Sequence, residues 1–417
     1  AQVTAMIQYP NHKFSLSFVL RLRGSVFPHS FLVALPCALA ASVLKYLQNQ
    51  GHIHEVLSQD SVLLDSAAYS GFSFLVGFIV VFRTNVAYDR FWEAVSSTTH
   101  MRAEWFDACS SLVAFCKAST VDEAEILKFQ HTLVRLFSIL HAVAIAEIEN
   151  QEFVEDMKDL NVIDAGGIDQ TSLIAIRESE CKVALVFQWI QQLIVENIAT
   201  GVMMIAPPVL SRAFDELAVG MVNFHDAIKV TLVPFPFPFA QCTEMLLLLH
   251  WVLSPLVICM WVADPAWAGI FSFLQAFIFW ALNTIALEIE EPLGEDPNDL
   301  DGADMQADFN LHLLLLLQPE TKRVPRLSEL ATRNLCSPGT RCSFSATFQE
   351  LNLIMAPTSK KLQSTPELAP LEKLSAESPG EYVNSGQEKQ DGAAKQDGLK
   401  PNAPDNFGEV AEERWIV

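Results

Sequence analysis

The sequence is short of charged residues. Asp, Glu, Lys and Arg make up 18% of its 417 residues, whereas soluble domains usually carry about a quarter. Hydrophobic residues make up 51% of the chain, so this composition indicates a membrane protein. Positively charged residues are the less common kind. The sequence has 27 Lys and Arg and 49 Asp and Glu, which gives a formal net charge of -22. Nucleic acid is therefore excluded as a partner, since no cationic surplus exists to neutralise phosphates.

Motifs of catalysis and of metal binding are also missing. The sequence contains no Gly-rich phosphate loop, no His-Glu-x-x-His string and no nucleophile elbow. Its 8 cysteines are scattered without a close pair of metal-ligand spacing, which is typical of reduced and mostly buried thiols. The sequence therefore gives no reason to expect an enzyme.

Long apolar runs, in contrast, are plentiful. Four are long enough to cross a bilayer, namely residues 25–47, 61–82, 239–263 and 265–287. Lys and Arg lie before the first run, after the second and before the third, and none occurs from Val230 to Thr321. By the positive-inside rule this pattern predicts an all-α, multi-pass membrane protein with four transmembrane helices and with both chain ends on the inner side.

The segment between the second and third spans predicts a bundle of helices on the inner side. A capping box from Thr120 to Glu123 predicts one helix start, a second helix runs from about 171 to Gly201, and Pro207 begins a third. The tail is rich in Pro, Ser, Glu, Lys and Gly, which predicts disorder over most of it. The predicted parts are an N-terminal segment 1–24, two spans 25–93, an inner-side domain 94–228, two spans with an acidic segment 229–317, and a tail 318–417.

Three phenylalanines form a stripe within the second span. Phe74, Phe78 and Phe82 recur every four residues, which puts their rings on one face of a helix. Several copies of such a helix around an axis would enclose an apolar throat lined by rings whose positive edges can face an anion. A stripe facing lipid or a neighbouring helix has the same spacing, and the spacing alone favours that reading.

The sequence around the stripe resembles that of the bestrophin family of anion channels. Residues 81–94 are similar to the family signature after the pore helix, and 233–241 to its proline and aromatic entry to the third membrane helix. Residues 288–300 are similar to the acidic segment that ends the fourth membrane helix, and 22–26 is a weaker match. The resemblance spans about residues 13–315 in the family's order.

This resemblance implies a homopentamer in a lipid membrane that passes small inorganic anions, chloride or bicarbonate. It implies that the pore neck consists of Phe74, Phe78 and Phe82. Arg83 and Arg90, just past the neck, are expected to raise the local anion concentration in the vestibule. The alternative is that they pair with Asp89 or Glu93 or mark the membrane edge, and this alternative is favoured for Arg90. Val209 is the nearest match to the family's inner constriction.

The acidic segment implies a possible calcium site, because animal bestrophins clasp calcium there. The residues carried over by position are Asp296, Asp299, Glu288, the carbonyl of Glu291 and the carbonyl near Gln8. The sequence departs from the animal pattern, since Pro297 and Asn298 interrupt the acidic run and Glu stands at 288 in place of an amide. A solvated acidic turn that ends a membrane helix is the alternative interpretation.

Two other functions fit the same composition. A membrane-anchored scaffold would use the spans and the acidic tail to hold partners, and it would carry no current. A proton-coupled anion carrier would use Glu244, a carboxylate inside the third span that must face protein or water. Phe-Arg-Thr-Asn at 82–85 and Pro-Asn-Asp at 297–299 resemble the branch of the family found in photosynthetic organisms and bacteria. This resemblance favours a plastid or thylakoid membrane, with the plasma membrane as the alternative.

Overall fold

The computed structural model describes residues 21–52, 66–149, 161–294 and 296–327. Within these residues the chain forms α-helices and no strand, which confirms the all-α prediction. The helices are α1 (Phe27–Asn49), α2 (Ser66–Phe115), α3 (Glu123–Ile148), α4 (Gln170–Glu178), α5 (Lys182–Ala199), α6 (Pro207–Leu232), α7 (Phe237–Trp261), α8 (Pro265–Glu290) and α9 (Gly302–Leu316). They belong to one compact unit, residues 1–326, and the unit 327–417 lies outside the described residues except for Leu327.

Four of these helices correspond to the predicted spans. Helices α1, α7, α8 and the first part of α2 are long and apolar enough to cross a membrane. Helix α3 meets the same criterion, but 78% of its apolar window is buried within the chain, so α3 is a core helix of the inner bundle. Residues 61–65 of the predicted second span lie outside the described residues.

Small side chains let α1 and α8 approach closely. A Cβ added at Gly269 of α8 would lie 2.2 Å from Ser42 Oγ of α1. Backbones that pack this closely are typical of membrane helices, which associate by van der Waals contact. At one end of this helix pair, Asn49 Nδ2 donates to the carbonyl of Ala263 at 3.3 Å. The end of α1 and the turn between α7 and α8 therefore lie at the same end of the bundle.

Helix α2 is much longer than the span predicted within it. Its 50 residues extend for about 75 Å, more than twice the hydrocarbon thickness of a bilayer. The prediction ended the span at Arg83, yet the helix continues without a break to Phe115 and becomes the central helix of the inner bundle. Along this inner part α6 packs beside it, with Gly220 of α6 directly against the indole of Trp105.

Two predicted details of the inner bundle are wrong. The N-cap of α3 is Asp122, whose side chain accepts from the backbone N–H of Glu123, and no capping box forms at Thr120. The single helix predicted from 171 to 201 is broken between α4 and α5. Ser179 is extended there, and its Oγ accepts from the backbone N–H of Cys181 at 3.2 Å, so a local side-chain hydrogen bond replaces the helical one.

Candidate functional site

The phenylalanine stripe lies on the outside of the protomer. Phe74, Phe78 and Phe82 are 72%, 62% and 46% exposed. On the opposite side of α2, Val76 and Val80 are buried against α7. The rings of Phe74 and Phe78 are mostly exposed, and the half-exposed ring of Phe82 lies 6.2 Å from the ring of Phe239 of α7. This face of α2 is therefore available to face a pore, a second subunit or lipid. The assignment of the stripe to a pore neck stays a prediction.

Arg83 follows the stripe directly, but its side chain is buried inside the protomer. Its guanidinium lies 3.2 Å from Glu244 of α7 and 3.2 Å from Glu290 of α8, and it donates to Asn283 at 3.0 Å. The guanidinium carbon also lies 5.6 Å from the ring centroid of Phe235. Two carboxylates pair with the Arg83 cation and 3% of the residue is exposed, and its expected role in a vestibule stays a prediction.

Arg90 holds the ends of two helices. Its guanidinium donates to the carbonyls of Val230 and Val233, each at 2.8 Å, and to the carbonyl of Glu290 at 3.2 Å. These carbonyls belong to the ends of α6 and α8, where the last helical C=O groups have no partner within the helix. The expected pairing of Arg90 with Asp89 or Glu93 is therefore wrong. Glu93 instead lies 2.8 Å from Lys229 of α6.

Val209 is not brought near the phenylalanine stripe. It is half-exposed in the first turn of α6, whereas Arg90 binds the carbonyl of Val230 near the other end of that helix. The 21 residues between these positions correspond to about 32 Å of helix. A constriction at Val209 would therefore be a second and separate narrowing, deep in the inner domain, and it stays a prediction.

The acidic segment after α8 is a closed loop. The backbone N–H of Leu300 donates to the carbonyl of Pro292 at 2.9 Å, and Asp299 Oδ2 accepts from the backbone N–H of Asp296 at 2.9 Å. A Cβ at residue 294 would lie 2.7 Å from that same oxygen, so the loop requires the glycine found there. Asp299 is thereby turned inward onto the backbone of its own loop.

Burial raises the pKa of the Asp299 carboxyl to about 6. The hydrogen bond from the Asp296 backbone opposes this shift, while the charges of Asp296 and Glu288 add to it. Glu288, however, is engaged by Asn298, whose Nδ2 donates to Glu288 Oε1 at 2.8 Å and to the carbonyl of Gly24 at 3.0 Å.

Among the described residues, the acidic groups carried over for a calcium site are not gathered into one cluster. Calcium needs six to eight oxygen ligands, and in the described part of the chain no three His, Cys, Asp or Glu side chains are grouped so that they could hold a metal. The amide nitrogen of Asn298 lies between Glu288 Oε1, one of the expected ligands, and the carbonyl oxygen of Gly24. Gln8 lies outside the described residues.

Comparisons with known proteins identify the family. Residues 6–314 match the family described as Bacterial/Fungal Bestrophin protein. The chain belongs to the bestrophin family. A voltage-dependent anion channel-forming protein of the cyanobacterium Nostoc is 26% identical over 69% of this chain and 86% of its own length. A protein of the same description from Synechocystis is 24% identical over 72% of this chain and 92% of its own length.

Solved bestrophin structures share the fold of this chain. An Asp-to-Ala variant of a bacterial bestrophin homologue from Klebsiella pneumoniae superimposes with a TM-score of 0.57. The match covers 70% of this chain and 99% of the Klebsiella chain at 16% sequence identity. The fold prediction is therefore confirmed, and the protein is an integral membrane protein of this family.

One polar cluster of this bestrophin was missed by the sequence analysis. His250 of α7 is buried at membrane depth, and its Nε2 lies 3.4 Å from Tyr69 Oη, 3.3 Å from Ser73 Oγ and 3.1 Å from Gln275 Nε2. The cluster joins α2, α7 and α8, and its member Ser73 directly precedes Phe74 in the chain. A histidine inside an apolar run is a signal in itself, because polar groups in a membrane need partners.

Proposed function

We propose that this bestrophin is one subunit of a homo-oligomeric anion channel, in which copies of α2 surround a pore for chloride or bicarbonate. The observation that carries the proposal is the exposed stripe of Phe74, Phe78 and Phe82 on the helix that bears the family signature. The cyanobacterial relatives, which are described as voltage-dependent anion channel-forming proteins, support the same class of function.

The stripe gives the pore its selectivity through dehydration. From Phe74 to Phe82 the helix rises by eight steps, which corresponds to a neck of about 12 Å. An apolar wall without a fixed cation makes loss of the hydration shell the main barrier, so large and weakly hydrated anions pass most readily. Arg83 contributes no free charge to this wall, because Glu244 and Glu290 neutralise it. The positive edges of the rings favour anions over cations.

A closed ring of subunits is required by this mechanism, since the stripe of one protomer cannot enclose a pore. The resemblance to bestrophins supports a pentamer. A plastid or thylakoid membrane is the favoured location, and the cyanobacterial origin of two relatives supports it.

The proposal is tested by reconstituting the full chain in a planar bilayer with a potassium chloride gradient. An anion channel gives a reversal potential at the chloride equilibrium potential. A membrane-anchored scaffold gives no current, and a proton-coupled carrier gives a saturable flux with a steep dependence on pH. Glu244→Gln distinguishes the carrier further, because that change abolishes proton coupling but leaves a channel conducting.

A further inference from the structure

Asn298 lies in the acidic segment, and its side-chain amide donates to two acceptors. Its Nδ2 lies 2.8 Å from the carboxylate oxygen Oε1 of Glu288 and 3.0 Å from the carbonyl oxygen of Gly24. A side-chain amide has two N–H bonds, and both are used here. Because both partners are acceptors, the nitrogen and not the oxygen of the amide must face them.

A hard cation would bind to oxygens of this kind. Calcium collects carboxylate and carbonyl oxygens from separate parts of a chain, and Glu288 and Gly24 are separated by more than two hundred residues. Here the side-chain amide of Asn298 lies between these two oxygens, where a cation would bind, and directs its hydrogens at both. We propose that Asn298 is an internal replacement for a metal ion, and that the acidic segment of this bestrophin keeps its shape without calcium.

Asp299 of the same loop is also engaged by a backbone donor. Asp299 is 5% exposed and accepts from the backbone N–H of Asp296. The Leu300 to Pro292 hydrogen bond closes the loop behind it. The hydrogen bonds that hold the described part of this loop are thus donated by N–H groups of the chain itself, and they bring its two ends together.

The amide also connects two distant elements of the membrane domain. Gly24 lies just before α1, and Glu288 lies in the last turn of α8. Loss of the Asn298 amide would release the entry of α1 from the end of α8. Because the link is between neutral N–H donors and oxygens, its strength does not depend on the free calcium concentration.

The proposal is tested on the full purified chain by measuring melting temperature and calcium binding, with calcium or with a chelator. The wild type is expected to melt at the same temperature in both conditions. Asn298→Asp removes both donors and places a carboxylate beside Glu288, so it should melt lower in chelator. Calcium should then raise its melting temperature by at least about 2 °C and bind an additional site. Asn298→Ala should melt lower in both conditions, because it adds no ligand.

Asn223→Asp is the matched control, since the Asn223 amide donates only to the Val219 carbonyl within its own helix. The proposal is overturned if calcium stabilises the wild type and Asp296→Ala removes that effect. It is also overturned if Asn298→Asp responds to calcium no more than Asn223→Asp does. The wild-type comparison decides the question even where Asn298→Asp fails to assemble. None of these readouts depends on channel activity, so the result is separate from that of the proposed function.

Discussion

Replacing Arg83 with Met tests whether this residue is a buried structural cation or a group that faces a pore. The side chain is 4% exposed, and its two carboxylate partners differ, since the Glu290 side chain is 13% exposed and that of Glu244 is 41% exposed. Removing the cation leaves Glu290 buried and unpaired. Breaking a buried ion pair in this way costs about 3 to 5 kcal/mol. At roughly 2 °C per kcal/mol, the melting temperature should fall by about 6 to 10 °C.

The two partners provide the internal comparison. Glu244→Gln should cost at most about 1 kcal/mol, because water screens a partly exposed pair. Glu290→Gln should cost more, since the Glu290 side chain is 13% exposed and its pair with Arg83 is screened less than that of Glu244. The double variant Arg83→Met with Glu290→Gln should recover most of the loss, because it removes both buried charges. Melting in detergent, followed by size-exclusion chromatography, measures each step.

A different result would refute this reasoning about Arg83. If Arg83→Met melts within about 2 °C of the wild type and its channel loses preference for anions, the guanidinium faces the conduction path. Equal costs for Glu244→Gln and Glu290→Gln would likewise show that burial does not decide the strength of these pairs.

Two further predictions concern the packing and the topology of the chain. Gly220→Ala should prevent assembly of stable protein, because the added methyl would lie 2.3 Å from the Trp105 indole. Gly166→Ala is the control and should be neutral, since no atom lies within 4 Å of the added methyl. Protein yield and melting temperature measure both variants. In a background without accessible cysteines, Cys at His52 and at Asp264 should be labelled from one side of the membrane and Cys at Gly166 from the other. Labelling of His52 and Gly166 from the same side contradicts four crossings.

The membrane helices could be predicted because hydropathy is a local property. The length of α2 could not, since Arg83 and Arg90 read as the inner edge of a membrane when their partners are unknown. The partners of Arg83, Glu244 and Glu290, lie 161 and 207 residues further along the chain. Only folding brings these carboxylates to Arg83. The charge that appears to end the span is instead buried between α2, α7 and α8.

The candidate site was predictable to a similar extent. The spacing of the phenylalanine stripe follows from helical period, and the structure places all three rings on one exposed face. The acidic segment was recognised from its carboxylates, but the hydrogen bond between the Asn298 amide and Glu288 was not predicted. The role of Asn298 depends on Gly24 and Glu288, which no local pattern connects to it.

The most direct test of the channel proposal is the permeability ratio of chloride, bicarbonate and iodide after Phe74, Phe78 and Phe82 are all changed to Ala. The matched control changes three exposed apolar residues of α7 to Ala, namely Met245, Leu248 and Val252. If the stripe forms the neck, its removal widens and wets the constriction, so current rises and the differences among the anions shrink, while the control keeps the wild-type ratios. Unchanged ratios in a well-assembled triple variant would contradict the assignment of α2 as the pore helix.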